Sequence, residues 1–351
     1  MGRSQELIKS VTENRLKLII NPTEHCNLRC IGCYETFQIG RMPEAVANGV
    51  INLVARRIAL GRLRCLEVDF FGGEPLANWP LVYRMTSELT RLCRAGHVAF
   101  HGGMTTNGTL LYPDRIEALS DLAAFFYQIT LSGPKEIHDC RRSRKDGRGS
   151  FDEVWATMHH LKRYLNTTTL IRIHFDPASY PSLIEADGFV SRVVSTFLKN
   201  DPRFKLHFHA LGHWGGRDDH LFDVFATIQE REAKNSLIDA AIAAGCSPEQ
   251  LLQFSPDAKL GESGHAICYA AEANSFLIRA DGRVGKCTVA LEDPSNTIGH
   301  ITEKGDLLID HDKHLPWLQG LVTGDAAFLA CPKAFLLDRP STRSTDRYVA
   351  D

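Results

Sequence analysis

Six short alternating apolar runs, each followed by a longer stretch with helical spacing, recur through the first two thirds of this chain and constrain its fold most. Repeated βα segments lay strands parallel with helices packed outside them. Strands are predicted at 16–21, 66–71, 98–105, 125–131, 170–176 and 205–211. Six such units make an α/β fold, an incomplete (β/α)6 barrel of the TIM type. Helix signals agree: Pro43 stands at a first turn before Val46, Val50 and Val54, and Gly61 stops that helix. Ser150 with Glu153 forms a capping-box pattern before Val154, Met158 and Leu161. At 351 residues and 44% hydrophobic content, the chain can build one large barrel plus a smaller unit.

Strand alternation predicts the lumen. Ile171, Ile173 and Phe175 form an apolar face for helices, so Arg172, His174 and Asp176 point inward. By the same rule His207 and His209 face inward on the sixth strand, and Glu67 and Asp69 on the second. So polar an interior suits a ligand-lined cavity. Asp176, His174 and His209 are its candidate acid-base groups.

Directly after the first strand come Cys26, Cys30 and Cys33, at Cys-x3-Cys-x2-Cys spacing. Three thiolates on one short loop can hold three irons of a 4Fe-4S cluster and leave the fourth open for chemistry. A structural zinc site would need a fourth ligand, and typical zinc motifs bring a second Cys or His pair at short range. A disulfide framework is disfavoured, because the segment MGRSQELIKSV has no apolar signal sequence. Reduced cysteines point to the cytoplasm. Forty Lys and Arg against 42 Asp and Glu, net −2, offer no general attraction for nucleic acid or membrane. No apolar run approaches the roughly twenty residues that span a bilayer.

The three cysteines after a strand, followed by Phe71-Gly72-Gly73-Glu74-Pro75-Leu76, resemble the radical S-adenosylmethionine (radical SAM) enzymes. The resemblance implies that the open iron is chelated by the methionine moiety, and that an electron from the cluster releases a 5'-deoxyadenosyl radical for hydrogen-atom abstraction. It also implies a cofactor pocket. Gly72, Gly73, Glu74 and Pro75 resemble the segment receiving the cofactor's amino group, the glycines letting backbone come close to a ligand. Asn107 lies in a segment resembling one that lines the same pocket. Thr130 and Ser132 fall on a strand-four turn that is often Ser-x-Asp-Gly-Pro, and Arg142 takes the place of an arginine that grips the carboxylate. Arg172 joins these as an inward cation. Two departures stand out: Gly32 replaces a commonly aromatic residue that packs on adenine, a contact Tyr34 would take over, and Ser132 replaces the usual Asp.

Toward the carboxyl end, Cys268 and Cys287 flank a predicted β-hairpin with an Asp281-Gly282 turn, and Cys331 follows. This resembles the SPASM and twitch extensions, and implies an auxiliary iron-sulfur cluster, 4Fe-4S, on Cys268, Cys287 and Cys331. Three cysteines rather than seven suggest the shorter twitch arrangement; the fourth position is either open or filled by a distant residue such as Cys246 or a histidine. The expected organisation is a radical SAM partial barrel over 1–217, a helical connector over 218–263 and a small α+β twitch/SPASM-like cluster domain over 264–351. The resemblance implies a peptide-modifying maturase: an oxidoreductase that abstracts hydrogen from a ribosomally made precursor peptide to install a cross-link or other oxidative modification, with a flavodoxin- or ferredoxin-type electron donor. Two alternatives stay open, a small-molecule dehydrogenase that passes an electron to the auxiliary cluster, and a non-catalytic metal-binding scaffold.

Overall fold

The structure is a computed structural model describing residues 7–8, 10–185, 188–252 and 267–336. The expected boundary at 263/264 lies outside the described residues. In chain order the strands are β1 (Arg15–Ile20), a short β2 (Leu28–Cys30), β3 (Cys65–Phe70), β4 (Ala99–Thr106), β5 (Phe125–Leu131), a short β6 (Arg142–Arg144), β7 (Thr167–Phe175) and β8 (Phe204–Ala210). Six of them form a parallel array, β1-β3-β4-β5-β7-β8, the partial barrel that the βα rhythm predicts. Each predicted strand coincides with one of these, the largest offset being the start of β7 at Thr167.

Burial follows the alternation. Leu16, Leu18 and Ile20 on β1, Leu66, Val68 and Phe70 on β3, and Ile171, Ile173 and Phe175 on β7 are wholly buried under the helices, while Arg172 and His174 between them stay partly exposed to the lumen. Each such apolar side chain stabilises the fold by about 1.5–3 kcal/mol relative to exposure. The helix Glu44–Ala59 lays Val46, Val50 and Val54 on this layer and ends just before Gly61, whose φ is +68°. The helix Phe151–Leu161 also starts where expected, but its cap differs. Ser150 Oγ donates to the Arg142 carbonyl (2.7 Å), and a carboxylate oxygen of Asp139 accepts the N–H groups of Ser150 and Phe151 (2.8 Å each). Glu153 pairs with Arg144 instead. A charged acceptor from the preceding helix displaces the local hydroxyl because charge-assisted hydrogen bonds are stronger.

The carboxyl-terminal strands are β9 (Ser275–Ile278), β10 (Arg283–Gly285), β11 (Gly299–Ile301) and β12 (Leu307–Ile309). The Asp281-Gly282 turn forms as predicted, with Gly282 at φ +88°. The hairpin's placement was not legible: β9 pairs parallel with β1, Lys17 opposite Ser275 and Ile20 opposite Ile278, so the extension continues the barrel's own sheet. In the connector, the helix Thr227–Ala243 buries Leu237 and Ala241. Among the described residues no helix is long and apolar enough to cross a membrane.

Candidate functional site

The cysteine loop leaves the end of β1 and lies against the turn after β3. A Cβ on Gly73 would stand 2.4 Å from the His25 carbonyl oxygen, and one on Gly72, at φ +103°, 2.5 Å from that of Thr23. These glycines therefore let two backbone segments meet, rather than serving only a ligand's approach. On its other side the loop is tied by β2, which pairs antiparallel with β6 and sets Cys30 opposite Arg142. The Cys26 sulfur accepts the Leu28 N–H (3.4 Å) and the Asn107 amide (3.7 Å). The three half-buried thiols lie near one another: desolvation, then Glu74 and Cys30, push Cys26 up to about 12, and desolvation, then Cys30, does the same to Cys33. N–H donors aimed at sulfur on a three-cysteine loop fit a cluster held as thiolates, and binding would release the protons. Among the described residues no three His, Cys, Asp or Glu side chains converge on one point as a single zinc ion would require.

Glu74 is wholly buried and its carboxylate is filled. It accepts from Leu76 N (3.0 Å), Thr106 Oγ1 (2.8 and 3.0 Å) and Asn107 N (2.8 Å), so it clamps the end of β4 to the Gly-Gly turn instead of presenting a free oxygen. Pro75, also buried, opens the short helix Pro75–Asn78. Asn107 bonds Asn27 (2.9 Å) and faces the cysteines. Ser132 N donates to Nδ1 of His138 (3.3 Å), leaving the proton on Nε2, which reaches Ser150 Oγ (3.1 Å). Burial drives His138 down to about 3, so the ring is neutral and holds the β5 turn in place. Thr130 is buried opposite Arg172 in register, and Arg142 keeps a buried Nε with no partner among the described residues.

Asp176 does not join the inward acid-base set. Its carboxylate takes the guanidinium of Arg141 (2.5 Å) and the hydroxyl and N–H of Ser179 (2.7 and 2.8 Å), because the chain turns at the end of β7 and carries it into the wall. Tyr34 leans on Ile19, Leu277 and Leu291, while Leu211 and Phe222 fill the space beside Gly32, each 3.6 Å from where a Cβ would be. Their segment crosses the loop closely enough that a Cβ on Gly216 would meet the Cys33 carbonyl at 2.6 Å. Nothing in the spacing of the sequence signalled Phe222.

Cys287 and Cys331 lie near Cys268. Burial, then its neighbours Cys287 and Cys331, bear on Cys268, which is pushed up to about 12, against a hydrogen bond from Ala270 that works the other way. The Cys268 N–H donates to Leu329 O (2.9 Å), and Asn296 Oδ1 holds Cys287 N (2.8 Å). Cys246 lies apart, beside Lys205 at the foot of β8. A buried ion pair joins the two sets: Arg279, just past β9, forks onto Glu24 of the cysteine loop with two bonds of 2.8 Å. Tyr34 stands between them, with both Cys33 and Cys287 bearing on its phenol.

Residues 20–177 match the radical SAM superfamily. That match covers under half of the chain. The chain is 27% identical over 154 residues to the cysteine-type anaerobic sulfatase-maturating enzyme of Clostridium perfringens, which is 42% of this chain and 41% of that enzyme. This chain thus spans about two fifths of that relative's length. To the GTP 3',8-cyclase of Mycolicibacterium smegmatis it is 24% identical over 301 residues, 81% of this chain and 76% of the cyclase. Among solved structures, anSMEcpe with bound AdoMet superposes with TM-score 0.62 at 18% identity, covering 87% of this chain and 84% of that one. Streptococcus suis SuiB bound to precursor peptide SuiA does so with TM-score 0.60 at 14% identity, covering 91% and 69%. At these identities the superpositions show a shared fold, and it extends well beyond residues 20–177.

Proposed function

We propose that this protein is a radical SAM oxidoreductase of the peptide-modifying kind, which abstracts a hydrogen atom from a ribosomally made precursor peptide and leads it to a cross-link or other oxidative modification. The observation that carries the reading is the joining of two cysteine sets in one sheet, through β9 on β1 and Arg279 on Glu24, in a fold shared with proteins crystallised with peptides. Cys26, Cys30 and Cys33 hold the first cluster, and Cys268, Cys287 and Cys331 hold an auxiliary one. When bound, these groups supply the reductive cleavage of S-adenosylmethionine and hydrogen-atom abstraction. The chain's own part is to orient and to exclude water: Arg142 receives a carboxylate, Asn107 supports the loop, and Phe222 with Leu211 covers Gly32. A flavodoxin- or ferredoxin-type protein supplies electrons in the reducing cytoplasm.

Anaerobic enzyme given S-adenosylmethionine, reductant and the precursor peptide encoded beside its gene is expected to change that peptide's mass. A peptide left unchanged while a metabolite is oxidised overturns the peptide assignment. Cys30→Ala should abolish 5'-deoxyadenosine release, and Cys287→Ala should lower iron from about eight to about four per chain. The longer match to GTP 3',8-cyclase favours a second reading, a small-molecule substrate in the same lumen.

A further inference from the structure

The polar lining of the barrel divides by charge. Beside β1 and β3 it closes on itself: Lys17 pairs with Asp69 (3.0 Å), and Arg15 bridges Glu67 (2.6 Å) and Glu272 (3.0 Å). On β7 and β8 the inward groups are Arg172, His174, His207 and His209, and Arg142 adds a further cation from β6. The His174 and His209 rings stand 5.4 Å apart, and His207 and His209 5.9 Å. His207 bonds the Leu252 carbonyl through Nδ1 (2.7 Å). Arg172 makes no ion pair among the described residues, and its Nε, like Nε2 of His174, is buried without a hydrogen-bond partner. The groups that bear on Arg172 are the phenols of Tyr34 and Tyr269 and the like charge of Arg142. A half-buried guanidinium beside a like charge, with no ion pair among the described residues, is stabilised most by an anion that meets it.

We propose that Arg172, flanked by His174 and His209, receives the carboxylate of an acidic side chain in the substrate peptide, so that the segment to be modified carries an Asp or Glu. The inference rests on the peptide reading above and adds its specificity. The guanidinium forks onto the carboxylate and the neutral imidazoles each donate one N–H, which an amide of the same shape cannot match in charge. The methionyl carboxylate of S-adenosylmethionine offers the same chemistry, so the test uses enzyme already saturated with it.

Full-length, anaerobically reconstituted protein saturated with S-adenosylmethionine is titrated calorimetrically with acetyl-Gly-Asp-Gly-amide, acetyl-Gly-Asn-Gly-amide and GTP. The Asp probe is expected to bind about tenfold tighter than the Asn probe. In Arg172→Gln the ratio should fall to about one, with Arg172→Lys keeping part of it. Equal binding of the two peptides, binding of neither, or a preference that survives in Arg172→Gln overturns the site. Weakened S-adenosylmethionine binding in Arg172→Gln with the peptide preference intact gives the guanidinium to the methionyl carboxylate and also overturns it. If Arg172→Gln does not fold, Arg172→Lys and His209→Gln carry the comparison: a reduced preference in each supports the site, and an undiminished one in both overturns it. GTP bound in preference to both peptides defeats the peptide reading too, whereas precursor modification without any Asp preference defeats only this inference.

Discussion

At residue scale a buried ion pair and a buried neutral imidazole hold the site, and each predicts a measurable cost. Arg279 and Glu24 are 2% and 0% exposed, so removing one partner strands the other's charge. Arg279→Ala is expected to lower the unfolding free energy by about 3 kcal/mol or more in a denaturant titration, since half of a buried pair is worse than none. A double replacement, Arg279→Met with Glu24→Gln, should recover part of that loss. His138 supplies a pH signature. Its folded value near 3 lies below the ordinary 6.5, so the unfolded chain binds the proton more readily. Its contribution is complete above 6.5 and is lost as pH falls toward 3, by about 1 kcal/mol per pH unit. His207, lowered to about 4 by burial, acts in the same direction. Denaturation midpoints should fall as pH drops from 6.5 to 4, and His138→Gln should flatten that decline; a slope unchanged in the variant refutes the assignment.

The decisive elements are turns. Gly73 brings the β3 turn to within contact of the cysteine loop, and a methyl there would need about an ångström of retreat. Gly73→Ala is therefore expected to move the loop: iron content and visible absorbance of the reconstituted protein should drop, with thermal stability lowered by about 1–3 kcal/mol. Retained iron at wild-type level counts against the loop being positioned by this turn. The strands themselves were readable because alternation of Leu16, Leu18 and Ile20, or of Ile171, Ile173 and Phe175, is a local consequence of which face is buried. The cap of Phe151–Leu161 was not, because Asp139 arrives from another helix.

In the whole molecule, the carboxyl-terminal strands complete the barrel's edge. β1 would be an edge strand if β9 were removed, with its outer row of backbone groups unmatched. A chain ending before Ser275 is expected to aggregate when expressed and to lose the iron of both sites, as size-exclusion chromatography and iron analysis would read. A monodisperse truncated barrel that still binds its first cluster would show that the hairpin is dispensable to the fold.

Sequence by itself determined the βα order, the strand positions, the Asp281-Gly282 turn and two sets of three cysteines, because these follow from period, spacing and residue chemistry within short windows. Tertiary structure alone decided where partners come from. It gave Asp176 to Arg141, filled Glu74 with the N–H and hydroxyl groups of β4, moved Phe222 beside Gly32, and set β9 along β1. It also separated the lumen into a neutralised side and a basic one where Arg172 has no ion pair among the described residues. Alternation says that a side chain faces inward; only the packing of distant strands says whether a counter-charge waits there.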